Sequence, residues 1–269
     1  MSRAHVESER LADLSADPTA PATAHVAASD VAASDVPSPP RSPDARLPSL
    51  GATILALVWR DVLTELRTRE VVTGGAAFAL LVLVVFNFAL DLTAQNAQEI
   101  APGMLWIGFA FAGMLGFGRS FAVERELGTL DGLLLAPIDR GAIYLAKMLT
   151  NALFMGLVEL VTFPAFVALF NVQFAPFDTF VVALVGTLGF AAAGTLVSAI
   201  AANTRAREVL LPLLLLPLAV PVLIASVKAT AEAMGARPAE PLPWVQLLIG
   251  FDVVVIGASY LLFEFVLEE

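Results

Sequence analysis

Residues 121–149 read FAVERELGTLDGLLLAPIDRGAIYLAKML, a stretch that mixes charges and leucines between two long apolar segments. Val123, Leu127, Leu130 and Leu134 recur at spacings of four, three and four residues, which places them on one face of a helix. The charged residues fall on its other faces, so the pattern predicts a short amphipathic helix. These charged residues are Glu124, Arg125, Glu126 and Asp131.

The predicted helix covers 120–135, with a break at Gly128, a second start capped by Thr129, and an end at Pro137. Its leucines can face the membrane bundle or a groove on a soluble partner. A partner that grips such a helix could move the membrane spans through it. The alternative is a solvated loop without a partner, and the residues alone favour neither interpretation.

The composition indicates a membrane protein. Of the 269 residues, 58% are hydrophobic and 15% are charged, and the mean hydropathy is +0.81. A bilayer core takes about 20 apolar residues per helix, and the apolar runs lack the alternation of a membrane strand. We therefore expect an all-α polytopic membrane protein with six transmembrane helices. The predicted spans are 71–90, 101–118, 142–170, 179–202, 209–227 and 244–265.

Two segments precede the first span: a tail, 1–48, and the first helix of a membrane domain that we expect to cover 49–269. Residues 1–48 are rich in Ala, Ser, Pro and Asp, and we expect a disordered tail, the alternative being a binding tail. Residues 50–69 predict an amphipathic helix on the membrane surface, with Trp59 at the level of the headgroups. The alternative is a plain extension of the first span. The apolar stripe of this helix is Leu55, Val58, Val62 and Leu66.

Basic residues in the short loops predict the orientation. With the N-terminus inside, nine lysines and arginines lie on the inner side and two, Lys228 and Arg237, on the outer side. Both termini are then cytoplasmic, and 120–135 belongs to the largest cytoplasmic loop. The nine inner residues are Arg60, Arg67, Arg69, Arg119, Arg125, Arg140, Lys147, Arg205 and Arg207.

Several kinds of chemistry lack the residues they need. The chain has no cysteine, and both histidines, His5 and His25, lie in the tail. We therefore expect no metal site and no catalytic residue in the membrane domain. Neither lysine, Lys147 or Lys228, follows a glycine, so the chain lacks a phosphate-binding P-loop. Any ATP-driven work would need a separate ATPase subunit.

Small residues follow one stripe of the second span, where Gly108, Ala112 and Gly116 lie four residues apart. Such a stripe allows the backbones of two helices to approach closely. We expect these residues to serve helix packing.

Three prolines in the fifth span, Pro212, Pro217 and Pro221, each remove a backbone donor. The helix is expected to be kinked or partly unwound, either as a moving element or as a static bend.

Two carboxyl groups lie near the middle of spans, Glu159 in the third and Asp252 in the sixth. Acids at this depth are costly and normally face the interior of the bundle. They could line a substrate path, latch two helices together, or make a structural hydrogen bond. No basic residue lies deep in a span to pair with either acid.

The stretch ERELGTLDGLLLAPIDRGAIYLAKML resembles the loop of ABC-2-type exporter permeases, in which it forms the coupling helix that docks on the ATPase subunit. IAPGMLWIGFAFAGMLGFGRSF (100–121) and LLPLLLLPLAVPVLI (210–224) narrow the resemblance to the CcmB family, the permease component of the cytochrome c maturation haem exporter. It covers about 50–267, and Ala136 replaces an expected Ser. The residues that match the coupling motif are Glu124, Arg125, Glu126, Gly128, Thr129, Leu130, Leu133, Leu134 and Pro137.

The resemblance implies a permease subunit in the bacterial inner membrane, not an enzyme. The family works as a homodimer with an ATP-binding subunit, and it assembles with a haem-handling C subunit, a small D subunit and a haem chaperone. The implied function is haem export, or ATP-driven release of the haem-loaded chaperone. We expect this chain to bind no cofactor itself, with haem a candidate cargo and ATP bound by the partner. Membrane lipid is a further partner, and nucleic acid is not expected.

Three other functions stay open at this point. An ABC-2 permease for lipid, polysaccharide or drug would share the coupling motif but not the two further stretches. An intramembrane aspartyl protease would need Glu159 and Asp252 as a close pair. A proton-coupled carrier could use the same two acids without any ATPase.

Overall fold

The structure is a computed structural model that describes residues 49–90, 94–121, 139–202, 204, 206–235 and 243–266. Every regular element within these ranges is an α-helix. The predicted tail, 1–48, lies outside the described residues, as does nearly all of the predicted 120–135 helix. The helices, in chain order, are α1 (Leu50–Thr68), α2 (Glu70–Ala89), α3 (Ala94–Ser120), α4 (Arg140–Phe170), α5 (Pro176–Ala202), α6 (Arg207–Ala233) and α7 (Trp244–Val266).

Six of these helices, α2 to α7, are long and apolar enough to cross a membrane. They confirm the all-helical architecture with six spans. Two helices run well past the predicted spans, since α3 begins at Ala94 and α6 continues to Ala233. Hydropathy marks only the apolar part of a helix, whereas backbone hydrogen bonding continues into the polar residues beside it.

The chain turns sharply between α1 and α2 at a single residue. Arg69 adopts the left-handed conformation, with φ 55°, and interrupts the helix. The first amides of α2 would otherwise lack acceptors, as at any helix start. The Glu65 carboxylate accepts hydrogen bonds from the N–H groups of Val71 and Val72, at 2.8 and 3.0 Å. One side chain of α1 thus caps the first span.

Helix α1 has an exposed apolar side, formed by Leu55, Trp59, Leu63 and Leu66. Another side packs against α4 and carries Asp61, whose side chain is only 12% exposed. The apolar stripe in the sequence does not predict that this side packs against α4. An ion pair rather than apolar contact holds Asp61 there. That the exposed apolar side lies in the membrane surface stays a prediction.

Helices α3 and α5 form the centre of the bundle. In the most apolar stretch of each of these two helices, 61% of the residues are buried, against 22% to 33% in the other four spans. Helix α5 contacts α3, α4, α6 and α7. It fits there because it presents glycines to bulky neighbours, and a Cβ atom on Gly194 would lie 2.2 Å from the Phe117 ring. Ser198, one turn later, donates a 2.5 Å hydrogen bond to the Phe117 carbonyl oxygen.

The small residues of α3 lie against α2. A Cβ atom on Gly108 would lie 3.7 Å from the backbone of Ala79, and one on Gly116 would lie 3.3 Å from a valine in the first turn of α2. On the facing helix, a Cβ atom on Gly75 would lie 3.5 Å from Ala112. Small residues thus stand on both sides of this contact, which brings the two backbones close together.

Helix α6 continues through all three of its prolines, Pro212, Pro217 and Pro221. Of the two forms expected for the fifth span, kinked or partly unwound, the helix does not take the second, since every residue from Arg207 to Ala233 is helical. The predicted kink stays a prediction.

Candidate functional site

The residues predicted to contact an ATPase subunit lie outside the described part of the chain. The structure describes instead the two points where that segment leaves and re-enters the bundle, at Phe121 and Asp139. The residues concerned are Glu124, Arg125, Glu126, Gly128, Thr129, Leu130, Leu133, Leu134 and Pro137. Their role stays a prediction.

Both ends of the segment are attached to other helices. On the α3 side, Arg119 forms a 2.6 Å ion pair with Glu70 at the start of α2. On the α4 side, the Asp139 carboxylate accepts from the Gly141 N–H at 3.3 Å, which caps α4, and from the Tyr260 hydroxyl at 2.8 Å. A Cβ atom on Gly141 would lie 2.1 Å from the Tyr260 ring, so this approach of α7 to α4 requires glycine.

A buried ion pair joins α1 to α4 near the same end of the bundle. The Lys147 ammonium lies 2.8 Å from the Asp61 carboxylate, with the side chains 8% and 12% exposed. Arg60 binds the other Asp61 oxygen at 2.8 Å. Lys147 also lies 5.9 Å from the centre of the Phe121 ring. The sequence offered one signal for this pair, because a lysine inside an apolar span normally has a specific partner.

Glu159 lies on α4 and faces α5. Its carboxylate accepts a short hydrogen bond from the Thr187 hydroxyl, the one partner of this side chain among the described residues. Both residues line a cavity of about 670 Å³ between α3, α4, α5 and α6. Sequence reasoning alone missed Thr187. A hydroxyl within an apolar span was the available signal, since it needs a partner in that environment.

Asp252 lies on α7 and is 7% exposed. Its Oδ1 atom is buried and has no hydrogen-bond partner among the described residues. A Cβ atom on Gly189 would lie 2.1 Å from this oxygen, so the glycine makes room for the acid. Glu159 and Asp252 thus contact different residues of α5. Whether either acid has a role in function stays a prediction.

In the part of the chain that the structure describes, no three residues of His, Cys, Asp or Glu come together in a way that could hold a metal ion. The polar groups at the two ends of the 122–138 segment are ion pairs and caps, and those inside the bundle are single acids and hydroxyls. The arrangement suits transmission of movement between helices and the holding of an apolar ligand.

Comparison with known proteins gives the family. The sequence profile of the family described as CcmB protein matches residues 52–265. The chain is 34% identical over 170 residues to the heme exporter protein B of Rhodobacter capsulatus, covering 63% of this chain and 78% of the relative. It is 31% identical over 205 residues to the heme exporter protein B of Paracoccus denitrificans, covering 76% and 93%.

A third relative, the heme exporter protein B of Bradyrhizobium diazoefficiens, is 30% identical over 176 residues, covering 65% of this chain and 79% of the relative. The profile match includes all six spans, both ends of the charged segment and the segment itself. It confirms the resemblance drawn from the coupling, glycine-rich and proline-rich stretches. The chain belongs to the CcmB protein family.

Proposed function

We propose that this chain is the membrane subunit of an ABC transporter complex for cytochrome c maturation. A separate ATPase subunit hydrolyses ATP, and the 120–135 helix carries the resulting movement into the spans. The work done is haem export, or release of a haem-loaded chaperone from a haem-handling subunit. The complex holds two copies of this chain, in the bacterial inner membrane, with both termini in the cytoplasm.

The observation that carries the proposal is the match to the CcmB family over 52–265 together with relatives named heme exporter protein B. The match spans the motif expected to contact the ATPase.

The attachments at the two ends of the charged segment support its role as a lever, meaning a segment whose movement displaces several helices. Displacement of the segment would pull on α2 through Arg119 and on α7 through Asp139. It would also pull on α1, because α4 starts beside the segment and holds Asp61 through Lys147. One loop would therefore move several helices together. ATP can drive such a change only if the partner binds the two states with different affinity.

The test replaces the apolar face of the lever. Leu130→Asp and Leu134→Asp are expected to abolish both co-purification of the ATPase subunit and its stimulation, because a carboxylate cannot enter an apolar groove unpaired. The membrane subunit itself should still elute as a single species in mild detergent. Thr204→Asp, at an exposed position in the α5–α6 connection on the same side of the bundle, is the matched control and should change neither property.

The cargo is tested in cells that lack their own copy of the gene. Wild type and Thr204→Asp should restore haem-stained c-type cytochromes, and Leu130→Asp should not. If the ATPase subunit still binds and is stimulated in both leucine variants, the lever is wrong. If c-type cytochromes form normally without the chain, the haem-related role is wrong, and a permease for another cargo becomes the better interpretation.

A further inference from the structure

The cavity beside Glu159 has the size and shape of a small-molecule site. It encloses about 670 Å³ between α3, α4, α5 and α6, within the range of about 300–1,000 Å³ that is usual for ligand pockets. Most of its lining is aliphatic or aromatic. The aromatic part consists of Trp106, Phe109, Phe163, Phe174 and Phe180.

A small set of polar groups interrupts this lining. The Glu159 carboxylate is bound by Thr187 through one oxygen, and its other oxygen has no partner among the described residues. Thr179 lines the same cavity, and its buried hydroxyl has no hydrogen-bond partner in the described part of the chain. The Thr179 hydroxyl oxygen is itself fully buried, so the free oxygen of Glu159 is the polar atom of this pair that a ligand can reach.

Trp106 is held rigidly at the inner wall. Its Nε1–H donates to the Thr230 hydroxyl at 2.9 Å, and both side chains are 2% exposed. The ring fits only because α5 has a glycine opposite, where a Cβ atom on Gly186 would lie 2.4 Å from it. The ring is therefore a fixed, nearly covered part of the wall, and a flat aromatic ligand can lie beside it without displacing it.

The cavity is reached from the lipid side. Leu153 and Leu160 of α4 and Phe180 and Leu184 of α5 all line it, and they are 44% to 71% exposed. Glu159 lies eleven residues before the end of α4, or about 16 Å along the helix axis. A molecule dissolved in the bilayer can therefore reach the acid between α4 and α5 without crossing the headgroup region.

The polar groups select the chemistry of that molecule. A phosphate or carboxylate would meet a carboxyl group and no cation in this lining. The lining also lacks His, Cys and Met, so nothing in it would ligate the iron of a porphyrin. A hydroxyl group both donates and accepts, so it suits the Glu159 carboxyl in either protonation state of the acid.

We propose that this cavity binds an uncharged, lipid-soluble ligand that has an aromatic body and a hydroxyl group, a phenol-like amphiphile drawn from the bilayer. The hydroxyl binds the free oxygen of the Glu159 carboxyl, and the ring lies among the phenylalanines beside Trp106. This site goes beyond the proposed transport function and does not depend on it.

The test uses the tryptophan already in the wall. In a full-length variant that carries Trp59→Phe and Trp244→Phe, all tryptophan fluorescence comes from Trp106. A brominated decylphenol should quench it saturably in detergent or nanodiscs. A brominated decylbenzene, which has the same body without the hydroxyl, should bind about tenfold more weakly, since a hydrogen bond to a charged or polar buried group is worth about that much.

Variants then distinguish binding of the probe at this site from its simple partition into lipid. Glu159→Leu should reduce the preference for the phenol to about twofold or less, and Glu159→Gln, which keeps a hydrogen-bonding group, should retain most of it. Gly156→Phe should abolish saturable quenching, because a Cβ atom there meets open space in the cavity. Gly257→Phe adds the same ring at an open position of α7 outside this lining and should change nothing.

Several results would overturn the proposal. Quenching that rises linearly in every variant would show partition only. Equal affinities for the two probes would show that the hydroxyl is not recognised. If Gly156→Phe alters the oligomeric state in light scattering and leaves phenol binding unchanged, the cavity belongs to an interface between copies of this chain and not to a ligand.

Discussion

Gly194 on α5 provides the sharpest test of how the centre of the bundle is packed. It lies against the Phe117 ring of α3, which is fully buried and packs on Phe190 with ring centres 5.5 Å apart. In Gly194→Ala, the new Cβ atom would lie 2.2, 2.4 and 2.5 Å from three ring carbons. Ordinary contact begins near 3.4 Å, so the ring or the helix must move by about 1.2 Å.

The surroundings leave little space for that movement. The cavity that borders Phe117 has a volume of only about 10 Å³, much less than a displaced ring needs. Adding a methyl group to a well-packed core typically costs about 1–3 kcal/mol. The close approach to a fully buried ring places Gly194→Ala at the upper end of that range, and the gain in helix propensity from Gly to Ala, about 1 kcal/mol, leaves a net loss of roughly 2 kcal/mol. At about 2–4 °C for each kcal/mol, we expect Tm to fall by roughly 4–8 °C.

The assay is thermal unfolding of the purified chain in one detergent, with size-exclusion chromatography to show that each variant is monodisperse. Gly257→Ala is the matched control, since a Cβ atom there meets nothing within 4 Å, and its Tm should stay constant or rise. In a Phe117→Leu background, the smaller side chain should reduce the cost of Gly194→Ala by at least half, because contacting residues are not additive. Equal costs in both backgrounds would refute the packing argument.

Two further predictions concern the junction of α1 with the spans. Lys147→Met and Asp61→Asn should each lower the unfolding free energy by about 1.5–3 kcal/mol, because each removes the same charged hydrogen bond between largely buried groups. The double variant should lose less than the sum of the two. A double-mutant cycle measured by denaturant titration tests this, and additive losses would contradict the ion pair. Glu65→Ala should lower the unfolding free energy by about 0.5–2 kcal/mol, because two amides at the start of α2 lose their cap. Glu65→Gln keeps an acceptor and should lose less than half of that in the same titration. Equal losses in the two variants would contradict the cap.

The architecture could be read from the sequence because each span carries its own signal. A run of about 20 apolar residues is forced by the thickness of the hydrocarbon core, whatever the neighbouring helices do. The spacing of the small residues Gly108, Ala112 and Gly116 likewise predicts a close contact between helices. The bounds were less exact because α3 and α6 continue as helices into polar residues that hydropathy does not count.

The resemblance to the CcmB family also came from local stretches, and the family match confirms it. The proline-rich fifth span shows what such local reasoning leaves open. Each proline does remove one donor, but whether a helix unwinds depends on the turns around it, and α6 stays helical throughout.

The contacts between distant parts of the chain were decided only by the tertiary structure. Lys147 meets Asp61 across 86 residues, Trp106 meets Thr230 across 124, and Thr187 reaches Glu159 across 28. Periodicity states which face of one helix a residue occupies, but not which neighbour that face meets. The partner is fixed by how the seven described helices pack, so the ion pair at α1 and the cavity at Glu159 emerge only from the assembled bundle.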